Sequence, residues 1–347
     1  MKIIYLHQYF KFPNEAGATR SFDLARGFNY FGHNVEIVTS TSQINNESKR
    51  RWNKVKKNGL TVHYIFLPYE NEMNYYQRSI VFFKFLWFST FKLLSLKGDV
   101  VLATSTPLTI GIPTLIKKWI HNTPFIFETR DVWPEVVIAI GAVKNKIIQK
   151  ILYFLESLIY KNASAVVALS VDMKHSITSR YPRLTNKPIE VIENISEIDR
   201  FQNGHNNRIS LLNKMIGFKP RFTILYAGTF GHVNGIDYVI ELASKLIKLD
   251  PGIVFLLIGD GAKKEEVTDK ALKKGVLDNN VFISESVSKL ELPQLYFECD
   301  IGSSFVVPVK ELWSNSANKF FDTLAAGKPI LINYEGWQKE VINKENI

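Results

Sequence analysis

Asn318 and Lys319 stand where a polar run, Asn315-Ser316-Ala317, gives way to a helical pattern, Phe320-Phe321-Asp322-Thr323-Leu324, which Gly327-Lys328-Pro329 closes into an apolar strand. Free backbone N–H groups and the positive end of the helix dipole face outward at such a start. An ammonium in the first turn completes an anion site, with Asn318 beside it to meet a phosphate or sugar oxygen. Asp322, one turn on, is placed to hold sugar hydroxyls. A second group of reactive side chains is Glu128-Thr129-Arg130-Asp131-Val132-Trp133-Pro134-Glu135, directly after the apolar run Phe125-Ile126-Phe127. A solvated loop does not need charge, aromatic and proline this dense. His7 and His232 both fall on strand-to-helix loops and are the candidate active-site histidines. The chain has no Asp-x-Asp triplet and no histidine, cysteine and carboxylate cluster at metal-ligand spacing, so no metal is expected.

These groups need elements to hold them. Ile3-Ile4-Tyr5-Leu6, a helical stretch from Ala18 to Phe31, and Val35-Glu36-Ile37-Val38 read as a βαβ unit, with Phe22, Ala25 and Phe28 as the stripe that packs on the sheet. Further strands are expected at Val100-Val101-Leu102-Ala103, Phe125-Ile126-Phe127 and Ala165-Val166-Val167-Ala168-Leu169. A polar stretch interrupts the rhythm before Phe222-Thr223-Ile224-Leu225-Tyr226-Ala227-Gly228 restarts it. The second half repeats the scheme: a helix after Gly235, a strand Ile253 to Ile258, the turn Gly259-Asp260-Gly261, a helix, then strands near Val281, Ile301 and Ile330. The fold expected is α/β, two Rossmann-like doubly wound domains facing across a cleft. Residues 1–196 form the first domain, 197–221 a linker and 222–347 the second. Ligands of such sheets lie beyond the carboxyl ends of the strands. The glycines of Gly228-Thr229-Phe230-Gly231-His232-Val233-Asn234-Gly235 and of Gly259-Asp260-Gly261 let backbone amides approach a diphosphate, or taken singly serve as turns.

With 347 residues, 46% of them apolar and 22% charged, the chain is globular and long enough for two cores. A single cysteine, Cys299, excludes a disulfide framework, and the start Met1-Lys2-Ile3-Ile4-Tyr5-Leu6-His7-Gln8 lacks the apolar core of a signal peptide, so a cytoplasmic protein is expected. The net charge of +10 favours an anionic partner: nucleic acid, a membrane surface or a phosphorylated small molecule. Dispersed lysines and the lack of a nucleic-acid module place nucleic acid last. Between Tyr75 and Leu96 aromatics crowd the chain, but Lys84 and Lys92 interrupt any run that could span a bilayer. That stretch reads either as a core helix or as a surface docking on anionic lipid. The basic segment Lys49 to Lys57 reads as a solvated loop or as a contributor to the same surface.

The tract Ser316 to Pro329 resembles the donor-binding helix of family 4 glycosyltransferases, enzymes of the GT-B fold. The segment Arg130-Asp131-Val132-Trp133-Pro134-Glu135 resembles the bacterial branch that transfers acetamido sugars of the L-fucosamine or GlcNAc type. The resemblance implies a UDP-sugar donor, no cofactor, and transfer with retention, the departing phosphate oxygen taking the acceptor proton. It implies donor contacts from Gly17, Arg20, Gly228, Thr229, Phe230, His232, Gly259, Asn318, Lys319 and Asp322, and places Asp131, Glu135, Arg130 and His7 at the reacting centre, Asp131 to orient rather than attack. Arg20 reads alternatively as a surface salt bridge on its helix, and Arg130 with Asp131 as a local ion pair.

Two departures from the family pattern stand out. Thr229 and Asn234 replace the loop's arginine and lysine, leaving Lys319 as the cation for the leaving nucleotide. Ser314 and Asp322 occupy the places of two glutamates, so only the second carboxylate remains, shortened. The acceptor implied is a polyprenyl-diphosphate-linked glycan at the inner face of the cytoplasmic membrane, in O-antigen, capsule or exopolysaccharide synthesis. Family members continue through more helices, so the sequence is expected to be a fragment. A nucleotide-sugar 2-epimerase of the same fold and a non-catalytic nucleotide-sugar-binding subunit are the competing readings.

Overall fold

The computed structural model describes residues 1–15, 17–42, 51–68, 73, 75–105, 107–184, 186–203 and 209–347. Lys49 and Arg50 lie outside them. Two compact units divide the chain: Met1–Lys11 with Thr19–Glu193, and Phe12–Ala18 with Asn194–Ile347.

The first unit is built on an eight-stranded sheet of β1 (Lys2–Leu6), β2 (Asn34–Thr41), β3 (Trp52–Lys57), β4 (Leu60–Phe66), β5 (Val100–Thr104), β6 (Phe125–Thr129), β7 (Ala165–Ala168) and β8 (Ile189–Val191), in the order β3-β4-β2-β1-β5-β6-β7-β8. All pairings are parallel except that of the edge strand β3 with β4. Strands such as Ile3-Ile4-Tyr5-Leu6 are buried throughout, which parallel strands covered on both faces require. Helices α1 (Arg20–Tyr30), α2 (Tyr75–Ser95), α3 (Gly111–His121), α4 (Glu135–Ala139), α5 (Lys146–Asn162) and α6 (Val171–Arg180) make the connections. The crossover through α1 runs one way along the sheet and those through α2, α3, α5 and α6 run the other way. Right-handed crossovers therefore put α1 on one face and the other four together on the opposite face.

The second unit has the sheet order β11-β10-β9-β12-β13, all parallel, from β9 (Phe222–Ala227), β10 (Ile253–Ile258), β11 (Val281–Ser284), β12 (Ile301–Ser304) and β13 (Ile330–Ile332). Its helices are α7 (Ile198–Asn203), α8 (Leu211–Ile216), α9 (Ile236–Leu249), α10 (Lys264–Lys273), α11 (Leu292–Glu298), α12 (Asn318–Ala325) and α13 (Trp337–Glu345). Strand order reverses beside β1 in the first unit and beside β9 in the second, and a doubly wound sheet takes its ligand at such a reversal.

The structure corrects two expectations. Residues 197–221 are no linker where they are described. Phe201 of α7 and Leu212 and Ile216 of α8 are buried against Leu225, Leu256 and Tyr296 of the second unit, whose boundary falls at Asn194 rather than after residue 196. Ser210 caps α8 through Asn213 N–H, and Gly217 closes it in the left-handed conformation. The basic segment, as far as it is described, is no loop. Trp52–Lys57 is an antiparallel edge strand with Val55 opposite Val62, its lysines on the edge where they discourage pairing with another chain.

Because Phe201 is core, Phe201→Ala should lower the unfolding free energy of the second unit by about 3–5 kcal/mol in a urea titration. In a linker the same change would shift it by about 0.5 kcal/mol or less.

Candidate active site

A cavity of about 590 Å³ opens at the carboxyl ends of the second unit's strands, lined by Gly228, Thr229, Gly259, Ser286, Lys289, Asn318, Lys319 and Asp322. Two glycines shape its floor. A Cβ on Gly259 would lie 1.8 Å from the Gly228 carbonyl oxygen, and one on Gly228 would lie 2.7 Å from Cε of Lys319. The loops after β9 and β10 can thus touch, joined by the hydrogen bond from Gly228 N–H to the Ile258 carbonyl at 2.9 Å. The Lys319 stem crosses directly over them.

Lys319 places its ammonium 5.1 Å from the ring centre of Tyr226, whose buried hydroxyl donates to the Thr229 carbonyl at 2.8 Å. Desolvation brings the Lys319 pKa down to about 8, opposed by the charge of Asp322. Among the described residues no carboxylate pairs with it; its neighbour is an aromatic face. Such an ammonium is poised for an anion that replaces its lost hydration.

Asp322 is committed elsewhere. Ser196 donates to its Oδ1 at 2.7 Å and the Lys289 ammonium bonds Oδ2 in a buried pair. Both carboxylate oxygens of Asp322 are therefore already engaged by protein donors, one of them Lys289, which the sequence does not single out. Lys289 follows β11 and lies 33 residues before Asp322, with β12 between them, so the chain carries no local signal of that pairing.

The start of α12 is aimed by bonds to the chain before it. Asn194 donates its backbone N–H to Ser316 Oγ at 3.3 Å and its side-chain amide to the Ser316 carbonyl. The Asn315 carbonyl accepts from Trp337 Nε1 at 2.9 Å and from Gln338 Nε2 at 2.8 Å. No side chain caps the helix, and Asn318 and Lys319 of its first turn line the cavity. Gly17, from the Phe12–Ala18 segment of this unit, also lines it. Phe230 does not: it is fully buried, edge-on to Tyr226 at 6.2 Å, and acts as core rather than as a donor contact. His232 is likewise absent from the lining.

In the first unit the reacting-centre candidates gather at the ends of β1, β5 and β6. Glu128, buried, accepts from Arg20 Nε at 3.1 Å and Nη2 at 2.9 Å, from Thr104 Oγ1 at 2.6 Å and from Arg130 Nε at 3.2 Å. Arg20 also donates to the carbonyls of Ile192 and Glu193. It is neither a surface salt bridge nor a free donor contact, but a buried brace across the sheet. Arg130 pairs with Glu128 rather than with Asp131, and its Nη2 donates to Ser21 Oγ at 2.8 Å, which meets His7 Nδ1 at 2.9 Å. Burial and the nearby Arg130 charge hold the His7 pKa well below its usual value, so the ring is neutral at pH 7. The two arginines also keep the Glu128 carboxyl ionised against its burial. Asp131 is half-buried, its carbonyl accepting from Thr129 Oγ1 at 2.9 Å and from Trp133 N–H at 2.8 Å. Glu135, which opens α4, is tied to Arg180 at 2.5 Å, and Arg180 in turn to buried Glu156. Glu135 thereby anchors the loop that presents Asp131.

Residues 16–194 match the family described as Glycosyl transferase 4-like domain, which is more than half of the chain. The chain belongs to this glycosyl transferase 4-like family. Residues 213–346 match Glycosyl transferases group 1. An uncharacterized glycosyltransferase of Methanocaldococcus jannaschii, MJ1059, is 23% identical over 251 residues, 70% of this chain and 58% of that protein. A probable glycosyltransferase of Pseudomonas aeruginosa, WbjE, is 24% identical over 68% of this chain and 57% of its own length. The chain thus spans somewhat over half the length of these relatives. Among solved structures, sucrose-phosphate synthase from Thermosynechococcus elongatus superposes with a TM-score of 0.70 at 13% identity, covering 96% of this chain and 82% of that one. Anabaena HepE in complex with UDP-glucose does so at 0.64 and 15%, covering 100% and 89%. These glycosyltransferase neighbours show the fold to be GT-B, two doubly wound α/β units.

Glu128 is the hub of the first-unit cluster, and Glu128→Gln leaves the buried Arg20 and the half-buried Arg130 without their carboxylate. The first unit should lose about 3–5 kcal/mol in chemical denaturation.

Proposed function

We propose that the protein is a retaining, metal-independent glycosyltransferase that takes a sugar, an acetamido sugar by its Arg130-to-Glu135 segment, from a UDP-linked donor. The second unit holds the donor. The observation that carries this reading is the desolvated ammonium of Lys319, without a carboxylate partner among the described residues, over a cavity where α12 begins. The relatives at MJ1059 and WbjE are named glycosyltransferases, and HepE is a complex with UDP-glucose, which supports a nucleotide sugar as the donor. As the bond to the departing UDP lengthens, charge grows on the β-phosphate oxygen, and Lys319 with the first N–H groups of α12 stabilises it in place of a divalent ion.

Asp131 is assigned to orient the acceptor hydroxyl, with neutral His7 and Arg130 fixing the polar surface around it. The departing phosphate oxygen receives the acceptor proton, so no strong base is required of the first unit. The acceptor is read as a polyprenyl-diphosphate-linked glycan of surface polysaccharide synthesis, on the resemblance of that segment. A nucleotide-sugar 2-epimerase would release epimerised sugar nucleotide without any acceptor, and a binding subunit would bind UDP without turnover, so product analysis separates all three.

Lys319→Met should weaken UDP binding about tenfold to a hundredfold in calorimetry, the loss of one charge-assisted contact. Unchanged affinity would remove the donor assignment. The protonated amine is the binding form, so wild-type affinity should fall as pH rises through about 8, and that dependence should vanish in Lys319→Met. Stability without ligand has the opposite sign, because an ammonium with a depressed pKa is released to the neutral form between about 8 and its unfolded value, and the fold gains over that range. Asp131→Asn should lower turnover far more than UDP affinity; equal turnover would exclude Asp131 from the reacting centre.

A further inference from the structure

Helix α2 buries Val81, Phe85 and Leu93, yet its outer stripe is aromatic: Phe83, Trp87 and Phe91 are 67%, 64% and 55% exposed. Trp87 and Phe91 pack edge to face at 5.0 Å, which fixes the two rings as one surface. Solvated helices of a globular domain turn polar residues outward, so three large rings there mark a contact surface rather than a stray exposed side chain. Helix α3 packs against α2 and adds exposed apolar side chains of its own. Lys117 bonds the Leu96 carbonyl at the end of α2 at 2.8 Å, which brings the last turn of α3 alongside, with Trp119 and Ile120 both more than half exposed.

Charge borders this apolar area on one side. Arg51 lies 4.5 Å from the ring centre of Phe88 and Lys92 lies 5.7 Å from that of Trp52, so the edge strand β3 runs beside α2 and carries exposed Lys54, Lys56 and Lys57 with it. Neither α2, α3 nor β3 contains an aspartate or glutamate. No helix of the described residues is long and apolar enough to cross a membrane.

We propose that the outer face of α2, together with the last turn of α3 and bordered by β3, docks on an anionic lipid bilayer. The rings enter to headgroup depth while the lysines of β3 meet lipid phosphates, a division of labour that suits an apolar middle bordered by the basic strand β3. A protein partner with an apolar face would cover the rings but leave the absence of acidic groups without a use. The proposal adds a partner to the reading above and stands on this surface alone.

Co-sedimentation tests it. The protein should partition onto vesicles of phosphatidylcholine mixed with phosphatidylglycerol, far less onto phosphatidylcholine alone, and less as salt is raised. The double variant Phe83→Ser, Trp87→Ser should lower the partition coefficient about tenfold or more, since two large rings no longer leave water. Lys54→Glu with Lys56→Glu should abolish the preference for the anionic vesicles. All four side chains are outside the donor cavity, so each variant should keep wild-type affinity for UDP. No partition of the wild type onto anionic vesicles, or none of these changes in the variants, overturns the proposal. So does wild-type self-association that the double variant disperses, which would assign the face to a second copy of the chain. Loss of UDP binding in the wild type would instead remove the donor reading and leave the vesicle result standing.

Discussion

The contact between the loops that follow β9 and β10 is the constraint on which the donor site depends. Gly259 sits so close to the Gly228 carbonyl that it cannot carry a Cβ, and the space beside Gly228 is taken by the end of the Lys319 side chain. That stem ends half-buried over the Tyr226 ring, and desolvation pulls the ammonium's pKa down to about 8. A methyl group at Gly228 would press on the lysine stem, and one at Gly259 would force the two loops apart. The site's electrostatics therefore follow from backbone sterics, with the charge placed where hydration is weak and a diphosphate can replace it.

The two units use buried charge in different ways. In the first, Arg20 and Arg130 share Glu128, while Arg180 bridges Glu135 and Glu156, so the charged groups at the strand ends hold one another. Such pairs cost desolvation and return little net stability, but they fix geometry, here the path from β6 through Asp131 to α4. In the second unit Lys289 and Asp322 pair in the same manner, and Lys319 does not. The contrast separates groups that position from the group left to meet a ligand.

Much of this was legible in the chain. Fully apolar four- to six-residue runs gave the parallel strands, because a strand covered on both faces has no polar side to show. The helix start at Asn318 was visible from the polar-to-periodic change and the closing Gly327. The hairpin of β3 and β4 was not, since an edge strand rich in lysine has the composition of a loop. Nor was the membership of α7 and α8 in the second core, because a polar, asparagine-rich surround masks the few apolar positions, Phe201, Leu212 and Ile216, that pack inward. Phe230 was misassigned for a related reason: a residue in a glycine-rich loop can point into the core, and only tertiary packing decides. Pairings such as Arg20 with Glu128, 108 residues apart, belong to topology. Glu128 itself did leave a trace, as a charge at the end of an otherwise apolar strand that has to find a partner.

An amine of pKa near 8 has a further consequence for turnover. At neutral pH it is mostly protonated beforehand, so in the proposed reaction no proton has to be recruited to neutralise the diphosphate. An anion bound there would raise that pKa and strengthen the contact as charge develops on the leaving oxygen, the differential stabilisation the proposed catalysis requires. A lysine fully solvated at its ordinary pKa would offer the same charge with its water shell intact, and much of the attraction would be spent in removing it. A lysine locked against a carboxylate, as Lys289 is against Asp322, would have to break that pair first. In the proposed reaction Lys319, half-buried over the Tyr226 ring and without a carboxylate partner among the described residues, avoids both costs.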